Sequence, residues 1–191
     1  MYNQNSSPTL TNCTFTGNSV TGSDAKGGGM HNNNSAPTLA DCIFEFNSAT
    51  AHGGGMHNNN STPTLQNCTF EGNAANFYGG GMYNNNSSST LQNCIFTNNI
   101  AIKSGGGMRN KNSSPTLSGC SFITNTGYNG GGMDNYDNSN PTLTNCGFID
   151  NHADDYGGGM RNNISSPSLS DCTLSGNNSS HYGGGMYNNS S

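Results

Sequence analysis

Seven cysteines, Cys13, Cys42, Cys68, Cys94, Cys120, Cys146 and Cys172, raise three chemical readings: disulfides, zinc ligation or packing. Zinc sites draw on close pairs such as C-x2-C, and a spacing of 26 residues, 29 for the first step, supplies none. Stacked copies would bring neighbouring thiols to disulfide range, about 4.8 Å at Cα. In-register side chains point the same way, however, and the count is odd. Inert core residues are the reading that fits, and no metal ligand set is expected.

A second group follows a repeating methionine: Tyr2, His31, His57, Tyr83, Arg109, Asp134, Arg161 and Tyr187. This column varies while its neighbours do not. Aromatic and Arg side chains in a row would stack on sugars and hydrogen-bond them, so the column is the candidate binding surface. The plainer alternative is an outward strand site that accepts any soluble residue. His31 and His57 would be neighbours on adjacent copies, a pair able at most to hold a metal weakly. A third group, Asp134, Asp137, Asp150, Asp154 and Asp155, is flanked by Arg109 and Arg161. Paired carboxylates could do acid–base work or bind calcium. The column itself lacks a repeated acidic set, and solvated loop charge is the better account. No catalytic residue and no cofactor is assigned.

These residues are positioned by a repeat, best seen in Met56–Gly81, MHNNNSTPTLQNCTFEGNAANFYGGG. A fixed period of this length marks a stacked array in which each unit packs on its neighbours. The whole chain, 1–191, reads as one such array. Alternation lasts only a few residues at a time, which suits short strands. Gly-Met-x-Asn places Met56 and Asn58 inward; after an Asn-Asn-Ser-x-Pro turn, Leu65 points inward; Cys68 and Phe70 do so in a third strand. Between the second and third strands stand Asn12, Asp41, Asn67, Asn93, Gly119, Asn145 and Asp171. Asn, Asp and Gly tolerate a left-handed backbone, so a sharp corner is expected there. The segment back to Gly-Gly-Gly varies most and reads as a loop.

Three short strands and three corners per turn describe an all-β, parallel β-helix of about seven turns, with right-handed coiling the default for parallel crossovers. One coil cannot fold alone, because four inward apolar side chains do not offset the ordering of a whole repeat. Two inward Asn columns would supply amide ladders between coils: the one containing Asn58 and the one containing Asn73. Both ends of such a rod expose unpaired strands, so end-to-end self-association is expected.

Hydrophobic residues make up 29% of the chain and charged residues 8%, with a net charge of −5. Five Lys+Arg in total argue against nucleic acid as partner, and no apolar run is long enough for a membrane helix. Met1-Tyr2-Asn3 sits in the phase of Met82-Tyr83-Asn84 and the chain stops inside a repeat, as a segment of a longer protein would.

The repeated S-P-T-L-x-N-C-x-F-x-x-N…G-G-G-M-x-N resembles the repeats of bacterial right-handed parallel β-helix proteins of the pectate-lyase-like superfamily. Its F-x-x-N element, with glycines before an aliphatic residue, is also similar to chlamydial polymorphic outer membrane protein repeats, although Gly-Gly-Gly-Met replaces the usual Gly-Gly-Ala-aliphatic. The resemblance implies a secreted or surface-displayed bacterial protein and names no ligand. The function expected first is a non-enzymatic, adhesin-like scaffold that contacts carbohydrate or host cell-surface molecules through its variable loops and the column after methionine. Two alternatives are a fragment of a polysaccharide lyase or hydrolase and an ice-binding module. The outward Thr9, Thr38, Thr64, Thr90, Thr116, Thr142 and Ser168 suit the latter, but the adjoining column, Thr11, Ala40, Gln66, Gln92, Ser118, Thr144 and Ser170, is too mixed.

Overall fold

The computed structural model describes residues 1–189. Every regular element is a strand, and every strand pairs in parallel with the equivalent strand one coil away. The first sheet has eight strands, from Tyr2–Gln4 to Met186–Asn189. The second and third have seven each, from Thr9–Thr11 to Ser168–Ser170 and from Thr14–Thr16 to Thr173–Ser175. Register is kept residue on residue: Met56 pairs with Met82, Leu65 with Leu91, and Phe70 with Phe96. The chain is therefore the expected parallel β-helix.

A fourth sheet joins the three expected ones, running from Ser19–Val20 to Asn178–Ser179. It occupies the segment read as a variable loop. Its strands are only two residues long in several coils, too short for alternation to show. The physical signal was a single small side chain: Ala49, Ala75, Ala101 and Ala153 point inward and are buried.

Each coil turns through left-handed residues. The corner expected from Asn12 to Asp171 is left-handed in all seven copies, with φ between 52° and 63°. A second set lies at Asn5, Asn34, Asn60, Asn86 and Asn112, where Ile164 is the misfit at φ 51°. A third precedes the Asn73 column, and a fourth is the first glycine of each triple, as at Gly53, Gly79 and Gly105. The other two glycines are needed for close approach. A Cβ on Gly81 would lie 2.6 Å from the Gly107 carbonyl oxygen and 2.9 Å from the Phe96 ring.

The interior holds Met, Leu, Cys and Phe columns, all buried in the central coils. Phe15, Phe44, Phe70, Phe96, Phe122 and Phe148 stack face to face at 4.6–4.8 Å between centroids. The cysteines are unpaired thiols. Cys68 Sγ donates back to the Gln66 carbonyl at 3.3 Å, and burial raises the Cys42 thiol above its ordinary value.

Both Asn ladders form. Asn58 Nδ2 donates to Asn84 Oδ1 at 2.9 Å, and Asn84 repeats the bond to Asn110. In the second ladder each amide from Asn47 to Asn151 is saturated. Asn73 Oδ1 accepts from the Asn47 backbone N–H and side chain, both at 3.0 Å; Asn73 Nδ2 donates to Phe44 O and Asn99 Oδ1, both at 2.9 Å. Burying so many amides is tolerable because none is left unpaired. A third ladder, which the alternation did not indicate, uses serine hydroxyls: Ser61 N–H donates to Ser87 Oγ at 2.9 Å, and Ser61 Oγ donates to Asn59 O at 2.8 Å.

Candidate functional site

The column after each methionine does point away from the core, yet its central members are not exposed. His57, Tyr83, Arg109 and Asp134 are 3%, 6%, 5% and 0% exposed. Their cover comes from the left-handed glycine corner. Gly79 lies so close to the strand that follows it that a Cβ there would sit 2.4 Å from Met82 O and 2.8 Å from Tyr83 Cβ. The chain thus folds sharply back, and the residue before each glycine triple stands beside the residue after each methionine.

Those preceding residues form a column of their own: Lys26, His52, Tyr78, Ser104, Asn129, Tyr156 and Tyr182, bridged coil to coil. They make one wall, and the column after methionine makes the floor. His52 lies 5.1 Å from Tyr83 between ring centroids, Arg109 stacks over Tyr78 at 3.8 Å, and Tyr156 lies 4.6 Å from Tyr187. The wall is tallest where the fourth-sheet strands lengthen, at Ile100–Ser104, Thr126–Asn129 and His152–Tyr156.

Two adjoining hollows open along this corner. The larger, about 600 Å3, is lined by Tyr78, Tyr83, Ile102, Lys103, Ser104, Arg109, Lys111, Tyr128, Asn129, Tyr136 and Arg161. The smaller, about 300 Å3, is lined by Lys26, His31, Asn33, His52, His57, Asn59, Tyr83, Asn85 and Lys111. Tyr83 and Lys111 line both, so the hollows adjoin there.

Asp134 lies beneath the larger hollow as a buried counter-ion. Its Oδ2 is 2.8 Å from Arg109 Nη1, an ion pair without hydrogen-bond angles, and its Oδ1 accepts from Arg161 Nη1 at 3.4 Å. Burial raises its carboxyl above the usual range, and the two guanidiniums pull it partly back. Arg109 Nε and Arg161 Nε are buried without a partner. In the smaller hollow, burial lowers His52 to about 4 and holds His57 well below the ordinary imidazole value, with Lys26 adding to both. Burial likewise lowers His31 and raises Tyr83.

Of the eight sequence candidates, His31, His57, Tyr83, Arg109 and Arg161 line the hollows, Asp134 lies under them, and Tyr2 and Tyr187 sit beyond their ends. His31 and His57 are neighbours, 4.7 Å between centroids and edge to face. Among the described residues no group of three His, Cys, Asp or Glu is placed to hold a metal. The acidic group does not assemble. Asp137 and Asp150 stand at different corners, while Asp154 and Asp155 pair with His152 and His181, both at 3.2 Å. The threonine column is exposed beside its mixed neighbour.

Sequence reading missed Tyr78, Lys103, Lys111, Tyr128 and Tyr136. For Tyr78 the signal was its fixed phase just before the glycines, and for Lys111 and Tyr136 it was their place two residues after the floor column. No described helix is long and apolar enough to cross a membrane.

The profile of the family described as "right handed beta helix region" matches residues 32–191. No curated protein and no solved structure matches the chain.

Proposed function

The chain belongs to the right-handed β-helix family, and from that premise we propose that it is a non-enzymatic scaffold whose two-walled corner binds carbohydrate. The observation that carries this reading is the larger hollow, where Tyr78, Tyr83, Tyr128 and Tyr136 line a cleft together with hydrogen-bonding side chains. Tyrosine faces with nearby donors suit the apolar faces and hydroxyl rims of sugar rings. Tyr128 is 47% exposed, so a ring is available without unfolding anything. Hydrolysis or elimination would need a carboxylate or base poised against substrate. The carboxylate at this site, Asp134, is wholly buried and engaged by two arginines, which favours binding over chemistry.

On this reading the protein is secreted or displayed at the cell surface as an adhesin-like module, a placement supported by the likeness of its repeats to those of surface passengers. A glycan array read with the unaltered protein and with Tyr128→Ala tests it. Retained glycans that are lost with Tyr128→Ala support the proposal. An array without a reproducible signal, or release of unsaturated or reducing products from a polysaccharide, overturns it in favour of another role.

A further inference from the structure

Three imidazoles meet at the smaller hollow, His31 and His57 on its floor and His52 on its wall. Ring centroids are 4.7 Å apart for His31 and His57 and 6.3 Å apart for His52 and His57. Gly53, left-handed at φ 65°, is the corner that folds His52 back beside His57. Nδ1 of His52 and Nδ1 of His57 are both buried without a hydrogen-bond partner. A neutral ring tolerates this, because the inward nitrogen can be the one without a proton. A protonated ring donates from both nitrogens and would strand a buried N–H. The charges nearby also weigh against protonation. Lys26 and Lys111 line the same hollow, and Arg109 acts on His52 from the next one. Asp24 pulls the other way on His31 and His52, but it is paired with Lys26 at 2.8 Å, and Asp134 is held by Arg109 and Arg161. The other titratable side chains at this end are phenols: Tyr78 and Tyr83 lie against His52 at 5.2 and 5.1 Å between centroids, and Tyr2 against His31 at 5.1 Å.

We propose that this end of the cleft is an acid-opened latch, in which protonation of His31, His52 and His57 parts the wall from the floor while the rest of the rod stays folded. The wall is weakest here. Lys26, His52 and Tyr78 are joined by isolated bridges, and the adjoining fourth-sheet strands, Ser48–Ala49 and Ala74–Ala75, are two residues long, against five in Ile100–Ser104. The N–H groups of His52 and Tyr78 reach Ala25 O and Ala51 O at 3.4 Å, whereas Thr69 and Ile95 in the third sheet bond at 2.9 Å. Opening admits water to the imidazoles and restores their ordinary value of 6.5; closed, burial holds them below it, His52 at about 4. The open form therefore takes up protons that the closed form refuses, and opening is favoured as the pH falls below 6.5. His52, discounted for its partial exposure, should favour opening about tenfold more at pH 5.0 than at pH 7.5. His57, only 3% exposed, adds to that. The latch would regulate the cleft of the carbohydrate reading above, since a parted wall releases whatever lies between wall and floor. Its opening is read on the protein alone, so either idea can fail without the other.

Amide hydrogen exchange of the intact protein at pH 7.5 and 5.0 tests this, with each rate divided by the intrinsic rate at that pH. The wall is reported by the N–H groups of Gly53 and Gly79, bonded to Tyr78 O at 2.9 Å and Ser104 O at 3.1 Å, and the third sheet by those of Thr69 and Ile95. Protection at Gly53 and Gly79 is expected to fall about tenfold or more on acidification while Thr69 and Ile95 keep theirs. The double variant His52→Gln/His57→Gln should lose most of that pH dependence. His52→Gln alone, at a half-buried position, should lose part of it and serves should the double variant fail to fold. Equal protection at the two pH values overturns the latch. So does a parallel loss in the third sheet, which is acid unfolding of the whole rod, and so does a fall at the wall that is unaltered in both variants.

Discussion

The guanidinium carbon of Arg109 lies 3.8 Å from the centre of the Tyr78 ring, while the same guanidinium reaches Asp134 at 2.8 Å. One cation thus joins the wall of the cleft to its floor. Because the glycine corner between the sheets is left-handed, a residue from the end of one coil caps a residue from the start of a later one.

Removing one partner of this pair strands the other in a desolvated place. Arg109→Ala is expected to lower stability by about 3–5 kcal/mol. The double variant with Asp134→Asn is expected to cost clearly less than the two single changes added together. Urea unfolding of all four proteins measures the coupling, and additive losses would show that the pair is energetically idle.

Acidification should weaken the fold. The imidazoles of His31, His52 and His57 are held below their unfolded value of 6.5, His52 at about 4, chiefly by burial. Their contribution is therefore complete above that value. It is lost as the pH falls from there toward 4, where the unfolded chain takes up protons that the folded chain refuses. Thermal melts at pH 7.5, 6.0 and 4.5 should show a falling midpoint, with a shallower fall in His52→Gln. A midpoint that rises on acidification contradicts the assignment.

Ile164 occupies a corner with φ 51°, where the equivalent residues of five other coils are asparagines. A β-branched residue is poorly suited to that conformation. Ile164→Asn should stabilise the protein by about 1 kcal/mol, seen as a higher urea midpoint at unchanged slope. Destabilisation would mean that the half-exposed side chain contributes more by packing than its backbone loses.

Two glycine-to-alanine changes should behave oppositely. In Gly81→Ala the new methyl would meet the Gly107 carbonyl oxygen at 2.6 Å and the Phe96 ring at 2.9 Å. Neighbouring coils would have to part, at a cost of several kcal/mol or failure to fold. At Gly147 the nearest atom to an added Cβ is 3.7 Å away, on the flexible Ile149 side chain, and the change should fall within about 0.5 kcal/mol. Parallel melts of the two variants decide the matter.

Much of the architecture was readable from identity at a fixed period. A column such as Asn12, Asp41, Asn67, Asn93 and Gly119 states its own backbone conformation, because only residues that tolerate positive φ recur there. The inward Met, Leu, Cys and Phe columns and the Asn ladders were readable for the same reason: stacking in register makes each coil see its own copy. Ile164 lay outside that logic, since its corner is imposed by the coils on either side.

What the sequence determined by itself is the content of one coil and the rule that the next repeats it. Only the tertiary structure decided what the variable residues face. Tyr78 and Arg109 are separated by a glycine triple and a further coil step, and nothing in their types says that they meet. Contact follows from a left-handed glycine that turns the fourth sheet back against the first. Such a turn buries a column that alternation alone assigns to solvent, and it gathers the chain's few cations into one cleft.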